Sequence, residues 1–331
     1  MFIHNSGKYL PEQIIRNDQL TQFPKGAIPL IAQKTGILSR RHAAKEQCTS
    51  DLAANAAIDC LTKSNLDAAS IDGIILATSS PDRIQPATAT RVQHLIGAKN
   101  AFAFDVNSVC SGGIFALAAA KGFFQTGLAN NMIVVASEVY SRFLNPSDFS
   151  TYPYFGDGAG AVLASNQAEG SLAELVDTVL HTDGSGSEVI QIPAGGTMKP
   201  ADAMNLQKDS FFSMKGKEVY QFAVEKGSAI LEEITTKNGL SLSSVAHVIT
   251  HQANINIIQE ISRRTEIDQN RFFVNLSEYG NTAGASVMIA LDEFLSRGIY
   301  QAGDYLVLVA FGGGLSWGAT LLRLNERRTI L

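Results

Sequence analysis

The sequence has few cysteines, and they lack the paired spacings of structural cysteines. The 331 residues include 3 cysteines, Cys48, Cys60 and Cys110, too few and too irregularly spaced for a disulfide framework or a zinc site. The 6 histidines never occur at metal-ligand spacing, so we expect no bound metal. Because unpaired cysteines suit a reducing compartment, we predict a cytoplasmic protein.

Long apolar runs and strong overall charge are also missing. No apolar segment approaches the ~20 residues that a membrane-spanning helix needs, and residues 1–6 lack a basic segment followed by an apolar one, as a secretion signal would have. The net charge is −5 and charged residues make up only 17% of the chain. We therefore expect neither a membrane nor a nucleic acid as partner.

What the chain does contain is a regular alternation of apolar strands and helices, with a weak internal repeat. Continuous apolar strands alternating with helices predict an α/β fold whose sheets are covered on both faces. Three apolar positions of the first half recur in the second at one offset: Leu66, Ile71 and Ile75 match Leu240, Val245 and Ile249. We predict two duplicated α/β halves, 1–171 and 172–331, with a long loop over about 183–216.

The repeat also places three polar residues at corresponding ends of the two halves. Cys110 is predicted to open a helix that ends near Gly127, and Asn281 to open a matching helix that ends near Gly298. His251 directly follows an apolar strand. If a pseudo-twofold axis relates the halves, Cys110, His251 and Asn281 meet at their junction.

Cys110 lies in Ser108-Val109-Cys110-Ser111-Gly112-Gly113, where a strand gives way to an alanine-rich helix. A thiol at a helix N-terminus faces unpaired N–H groups and the positive end of the helix dipole, which lower its pKa from roughly 8.5. This position favours a reactive nucleophile. The alternative is a buried cysteine that serves only packing.

The other candidate residues also have structural alternatives. A histidine at a strand end, such as His251, is often structural, and Asn281 followed by Thr282 is typical of a helix cap. The glycine-rich segment 311–314 is either a simple tight turn or a turn that presents a backbone N–H group to an oxyanion. Their combination and order favour a catalytic site.

Seven motifs along the chain give it a specific resemblance. They are Tyr9-Leu10-Pro11-Glu12, Lys34-Thr35-Gly36-Ile37, Phe104-Asp105-Val106, residues 155–160, His251-Gln252-Ala253-Asn254, Gly280-Asn281-Thr282 and Phe311-Gly312-Gly313-Gly314. With Cys110, they resemble the β-ketoacyl-acyl-carrier-protein synthases of type III, within the thiolase-like superfamily. The resemblance covers nearly the whole chain. It implies the thiolase-like αβαβα five-layer fold, a Cys-His-Asn triad, a homodimer and an acyl carrier protein as partner.

The resemblance also implies a reaction. An acyl group moves from a thioester to Cys110, with the N–H groups of Cys110 and Gly313 as the oxyanion hole. A malonyl thioester then loses carbon dioxide, and His251 and Asn281 stabilise the enolate that attacks the acyl group. The thioesters are the only reagents, with no cofactor. Two alternatives remain: acyl transfer to an oxygen or nitrogen acceptor, and a non-catalytic partner subunit.

The chain departs from the family where the housekeeping enzymes bind coenzyme A. Residues 28–31 lack the family's tryptophan, Phe149 replaces an arginine, and Asn256 replaces a basic residue. We hypothesise a carrier-bound acyl donor or a role in specialised, polyketide-like metabolism. The acyl chain length stays open. Four basic residues could dock an acidic carrier protein or simply form a solvated helix face: Lys215, Lys217, Arg263 and Arg264.

Overall fold

A computed structural model describes residues 1–200, 202 and 209–326. Its α-helices are α1 (Ile28–Thr35), α2 (Thr49–Ser64), α3 (Thr88–Leu95), α4 (Gly112–Gln125), α5 (Gly216–Lys237), α6 (Ile255–Thr265), α7 (Leu276–Tyr279) and α8 (Ser286–Arg297). Its strands are β1 (Phe2–Tyr9), β2 (Gln13–Arg16), β3 (Ser39–His42), β4 (Gly73–Ala77), β5 (Phe102–Val106), β6 (Asn131–Glu138), β7 (Gly158–Ser165), β8 (Ala173–Thr182), β9 (Ile190–Gln191), β10 (Ser213–Met214), β11 (Val245–Thr250), β12 (Tyr305–Gly312) and β13 (Ser316–Leu324). None of the helices among these residues is long and apolar enough to cross a membrane.

Nine of the strands form one mixed sheet in the order β11-β12-β13-β8-β1-β7-β6-β4-β5. The first half supplies β1 and β4 to β7, and the second supplies β8 and β11 to β13. Among the described strands, the two groups join where Phe2 and Ile3 of β1 pair with Glu174 and Ala173 of β8. Every residue of β4 and β7 is buried, because helices cover both faces of these strands.

The helices divide the molecule into five layers. Helices α2 and α3 pack on one face of β4, β6 and β7. Helices α4 and α8 lie in the centre, where Leu117 and Leu291 share one core with strands of both halves. Helices α5 and α6 cover β12 and β13 on the far side. The predicted αβαβα architecture is confirmed.

The local structure corrects one part of the predicted repeat. Each central helix is preceded by a 3₁₀ turn, Val109–Ser111 before α4 and Ala283–Ala285 before α8. Val109 and Ala283 both have a φ of 45°, so Cys110 corresponds to Gly284, at the offset that also relates Leu66 to Leu240. The prediction that Asn281 opens the helix was wrong, because the 3₁₀ turn lies between Asn281 and α8. The proposed boundary between residues 171 and 172 stays a prediction.

The loop expected over about 183–216 contains a short antiparallel pair, in which Ile190 of β9 lies opposite Met214 of β10. Both side chains face the aromatic cluster around Cys110. Part of this loop, residues 201 and 203–208, lies outside the described residues, as do residues 327–331. Strands β9 and β10 therefore form one wall beside Cys110, the predicted nucleophile.

Candidate active site

Cys110, His251 and Asn281 line one cavity of about 480 Å³. Both halves contribute: Cys110 follows β5, His251 follows β11, and Asn281 lies between α7 and α8. Most of the remaining lining is apolar or aromatic, including Phe222 and Phe311. The structure thus brings together the three residues that the sequence suggested would meet.

Cys110 lies in a strained turn against a wall of aromatic rings. Val109, a β-branched residue, has a φ of 45°, a conformation that such residues rarely adopt. Cys110 is 8% exposed and packs in a cluster with Tyr140, Phe155 and Phe212. The ring of Phe155 stacks on Tyr140 with centroids 5.3 Å apart. The sulfur is therefore reached through the cavity and not from the open surface.

The expected lowering of the Cys110 pKa is not what the structure shows. Burial, with a smaller contribution from the nearby Glu138 carboxyl, raises the pKa of the thiol. Cys110 also lies in the 3₁₀ turn ahead of α4 and not within its first helical turn. Removal of water outweighs the helix dipole here, so the free cavity holds a neutral thiol.

His251 is a buried, uncharged imidazole. The backbone N–H of His251 donates to the Val309 carbonyl at 2.7 Å, and the ring nitrogen Nδ1 lies 2.7 Å from Ser286 Oγ. The ring meets Phe311 edge to face, with centroids 5.6 Å apart. Burial lowers the pKa of His251 to about 3. The imidazole is therefore neutral at physiological pH.

The Asn281 side chain is held through its oxygen. Asn281 Oδ1 accepts a hydrogen bond from the Ala283 N–H at 2.9 Å, and the Asn281 N–H donates to the Tyr154 carbonyl at 2.8 Å. No hydrogen bond to the amide nitrogen Nδ2 is found among the described residues. The cavity thus has two neutral side chains, His251 and Asn281, that can donate hydrogen bonds.

The glycine-rich turn contains a residue that sequence reasoning missed. A Cβ on Gly312 would lie 2.7 Å from the Cys110 nitrogen and 2.8 Å from its Cβ, whereas one on Gly313 would face Val109 and Ile190. Gly312 therefore lets β12 approach the nucleophile directly. The run of three glycines signalled a close approach but not which glycine makes it.

This contact predicts a large effect for Gly312→Ala. The added methyl overlaps backbone atoms of Cys110, which must shift, and a displacement of ~1 Å at a reacting atom typically costs about 10²-fold in rate. We expect Cys110 to lose that much reactivity toward an acyl donor, measured by intact mass against time. Gly122→Ala, in open space on α4, is the matched control and should react as wild type. Equal rates for the two variants would contradict the close approach.

The predicted docking residues lie on α6 and at the start of α5. Arg263 makes two hydrogen bonds to Glu260, at 2.7 and 2.8 Å, and Arg264 makes one at 3.0 Å. Lys215 Nζ lies 3.9 Å from a Glu218 carboxylate oxygen, and Lys217 is the second residue of α5. Both arginines are thus exposed but already share one carboxylate.

Comparison with known proteins agrees with this architecture. Residues 104–184 match the family described as 3-oxoacyl-[acyl-carrier-protein] synthase III, and residues 235–324 match its C-terminal part. The chain is 38% identical over 324 residues to the β-ketoacyl-[acyl-carrier-protein] synthase III of Clostridium acetobutylicum, covering 98% of each protein. It is 39% identical over 318 residues to that of Clostridioides difficile, covering 96% of each.

Solved structures give the same result. The 3-oxoacyl-[acyl-carrier-protein] synthase III of Aquifex aeolicus superposes with a TM-score of 0.89 at 35% identity, over 97% of this chain and 99% of that one. The priming β-ketosynthase of the R1128 polyketide pathway gives 0.88 at 26% identity, over 99% and 97%. The chain therefore belongs to the β-ketoacyl-[acyl-carrier-protein] synthase III family of condensing enzymes, with the thiolase-like fold.

Proposed function

We propose that this protein joins an acyl group to a malonyl thioester by decarboxylative condensation, with Cys110 as nucleophile and His251 and Asn281 as hydrogen-bond donors. One observation carries the assignment: a buried thiol and two neutral side chains line a single apolar cavity. No carboxylate lines that cavity among the described residues, and this reaction needs none, because loss of carbon dioxide creates the carbanion.

The first step is acyl transfer. The Cys110 sulfur attacks the thioester carbonyl, and the N–H groups of Cys110 and Gly313 stabilise the oxyanion. The bond to the departing sulfur then breaks, and the proton of Cys110 ends on the released thiol. Because burial raises the pKa of the free thiol, we expect its proton to leave as the leaving group accepts one. This arrangement protects the free enzyme from stray electrophiles.

The second step is condensation. The malonyl carboxylate leaves as carbon dioxide, and the electron pair moves to an enolate whose oxygen accepts hydrogen bonds from His251 and Asn281. The enolate carbon attacks the acyl-cysteine, the C–S bond breaks, and the Cys110 sulfur regains a proton from water. A charged imidazolium is not available, since the His251 pKa is about 3. Two neutral donors suffice in a largely apolar cavity.

The alternative functions fit the site less well. Acyl transfer to an oxygen or nitrogen acceptor needs Cys110 and His251 but gives Asn281 no role, although its amide nitrogen is free to donate. A non-catalytic subunit would have no use for three converging polar groups. We therefore propose condensation, either in fatty-acid initiation or in polyketide-like metabolism. The 26% identity to a polyketide priming synthase is compatible with the second setting.

We propose that the acyl donor is bound to a carrier protein. Phe149, at the family's arginine position, packs edge to face on Phe23 with centroids 5.2 Å apart. Asn256 Nδ2 donates to the Lys34 carbonyl at 2.7 Å, and this bond holds the side chain against the protein. These contacts replace cationic groups that would hold a nucleotide, each worth roughly 1–3 kcal/mol.

Loading experiments with paired donors test this proposal. Cys110 should acylate at least about 10-fold faster from an acyl carrier protein than from the matching acyl-CoA, measured by intact mass. Arg263→Glu with Arg264→Glu should slow only loading from the carrier, and Glu260→Gln, which frees both guanidinium groups, should speed it. Arg297→Glu, on α8, is the matched surface control. Faster loading from acyl-CoA would contradict a carrier-bound donor.

We also propose that the enzyme is a cytoplasmic homodimer. Strand β5 lies at one edge of the nine-stranded sheet, and its Phe102 is 37% exposed and packs against Phe123 at 5.0 Å. Pairing of β5 with a second copy would cover both the edge and the ring. Light scattering of the wild-type protein should give twice the mass of one chain. The Phe102→Asp variant should give the mass of a single chain. All three cysteines are free thiols, which suits the cytoplasm.

A further inference from the structure

We infer that Ser286 is a positioning residue: its hydroxyl holds the proton of the neutral His251 ring on Nε2, the nitrogen left for the substrate. The position of the ring proton follows from hydrogen-bond geometry, and its effect on catalysis rests on the proposed function. Ser286 is the first residue of α8, on the segment that also carries Asn281. One short segment would thus prepare both donors.

The Ser286 hydroxyl makes two hydrogen bonds. The Gln252 N–H lies 3.3 Å from Ser286 Oγ, and a backbone N–H can only donate, so Oγ is the acceptor there. His251 Nδ1 lies 2.7 Å from the same Oγ. Ser286 is 2% exposed and His251 is 3% exposed, so this network is shielded from bulk solvent.

The hydroxyl hydrogen then decides the tautomer. If Nδ1 carried the proton, Oγ would accept from both the Gln252 N–H and the ring. Among the described residues, no other acceptor is placed for the hydroxyl hydrogen of Ser286. A buried donor without a partner costs about 1–3 kcal/mol. The favoured arrangement is therefore Ser286 O–H donating to Nδ1, which leaves the ring proton on Nε2.

This arrangement supplies what the enolate requires. With Nδ1 occupied by Ser286, Nε2 is the ring nitrogen available to the cavity, and it bears a hydrogen without any positive charge. Burial, which lowers the His251 pKa to about 3, keeps the second proton off. The other tautomer would present a lone pair to a developing oxyanion and repel it.

Imidazole nitrogen NMR tests the assignment directly. In the wild-type protein, the His251 signals, assigned by their loss in His251→Ala, should show the proton on Nε2. Ser286→Ala should shift the ring toward the Nδ1–H tautomer, and Ser286→Thr, which keeps a hydroxyl, should restore Nε2–H. Decarboxylation of a malonyl thioester should fall about 10- to 100-fold in Ser286→Ala and recover in Ser286→Thr, while Cys110 loading stays unchanged.

Two results would overturn the inference whatever the activity: Nδ1–H in the wild type, or an unchanged Nε2–H signal in folded Ser286→Ala. The wild-type measurement decides the question even if Ser286→Ala fails to fold. Failure of the proposed function looks different. In that case, His251→Ala would decarboxylate malonyl thioesters at the wild-type rate, whichever tautomer the spectra show.

Discussion

Cys110→Ala is expected to lose all acyl loading while keeping its fold. The substitution removes the only cysteine that lines the cavity, and alanine fits the small space between the aromatic cluster and Gly312. Because the covalent intermediate cannot form, condensation should fall by about 10⁴-fold or more. Intact mass after exposure to acyl donors should show one added acyl group in the wild type and none in the variant.

The other cysteines provide internal controls for this experiment. Burial raises the pKa of Cys60 to about 12, and Cys48 lies at the start of α2 outside the cavity. Cys48→Ala should therefore load one acyl group as the wild type does. An acyl group on Cys110→Ala, or the absence of one on Cys48→Ala, would show that a residue other than Cys110 is the nucleophile.

His251→Ala and Asn281→Ala are expected to separate the two half-reactions. Each variant removes one donor to the enolate oxygen and leaves the Cys110 turn intact, so acyl loading should continue. Loss of one oxyanion donor in a dry site typically costs about 10²–10³-fold. Release of carbon dioxide from a malonyl thioester should slow by that factor in each variant, measured with the acyl-enzyme formed beforehand.

Two further variants sharpen the test of donor chemistry. Asn281→Asp replaces the amide by a carboxylate that repels the enolate, so it should be slower than Asn281→Ala. Asn256→Ala removes an amide bonded to the Lys34 carbonyl and should decarboxylate as wild type. If both His251→Ala and Asn281→Ala kept the wild-type rate, the enolate would be stabilised by other groups.

Local sequence patterns predicted an α/β fold with sheets covered on both faces, because they record burial, whereas the five-layer arrangement was predicted from the family resemblance. The apolar runs of β4 and β7 are buried along their whole length, and continuous runs of this kind are visible in the sequence without any tertiary contact. The positions of Cys110 and His251 after strands, at corresponding ends of the two halves, predicted that they meet. Asn281 joins them although it follows the short helix α7 and not a strand. The start of α8 was misplaced because a 3₁₀ turn, Ala283–Ala285, intervenes without a distinct sequence signal.

The details that set the chemistry depend on contacts between distant segments. Ser286 meets His251 across 35 positions, and Gly312 meets Cys110 across the two halves. Glu138 accepts hydrogen bonds from Thr78, Ser79 and Ser80. Burial raises its pKa to about 7. Local sequence could not show that this carboxyl lies near the nucleophile and helps to raise the Cys110 pKa.

A single-turnover experiment tests the central claim most directly. Acyl-Cys110 enzyme is freed of donor and mixed with a malonyl carrier protein, and the masses of both proteins are followed together. We expect the acyl group to leave Cys110 as the carrier loses carbon dioxide and gains that acyl group, giving a β-ketoacyl carrier. An acyl-enzyme that persists with malonyl carrier, yet transfers its acyl group to an alcohol or amine, would contradict condensation and establish the acyltransferase alternative.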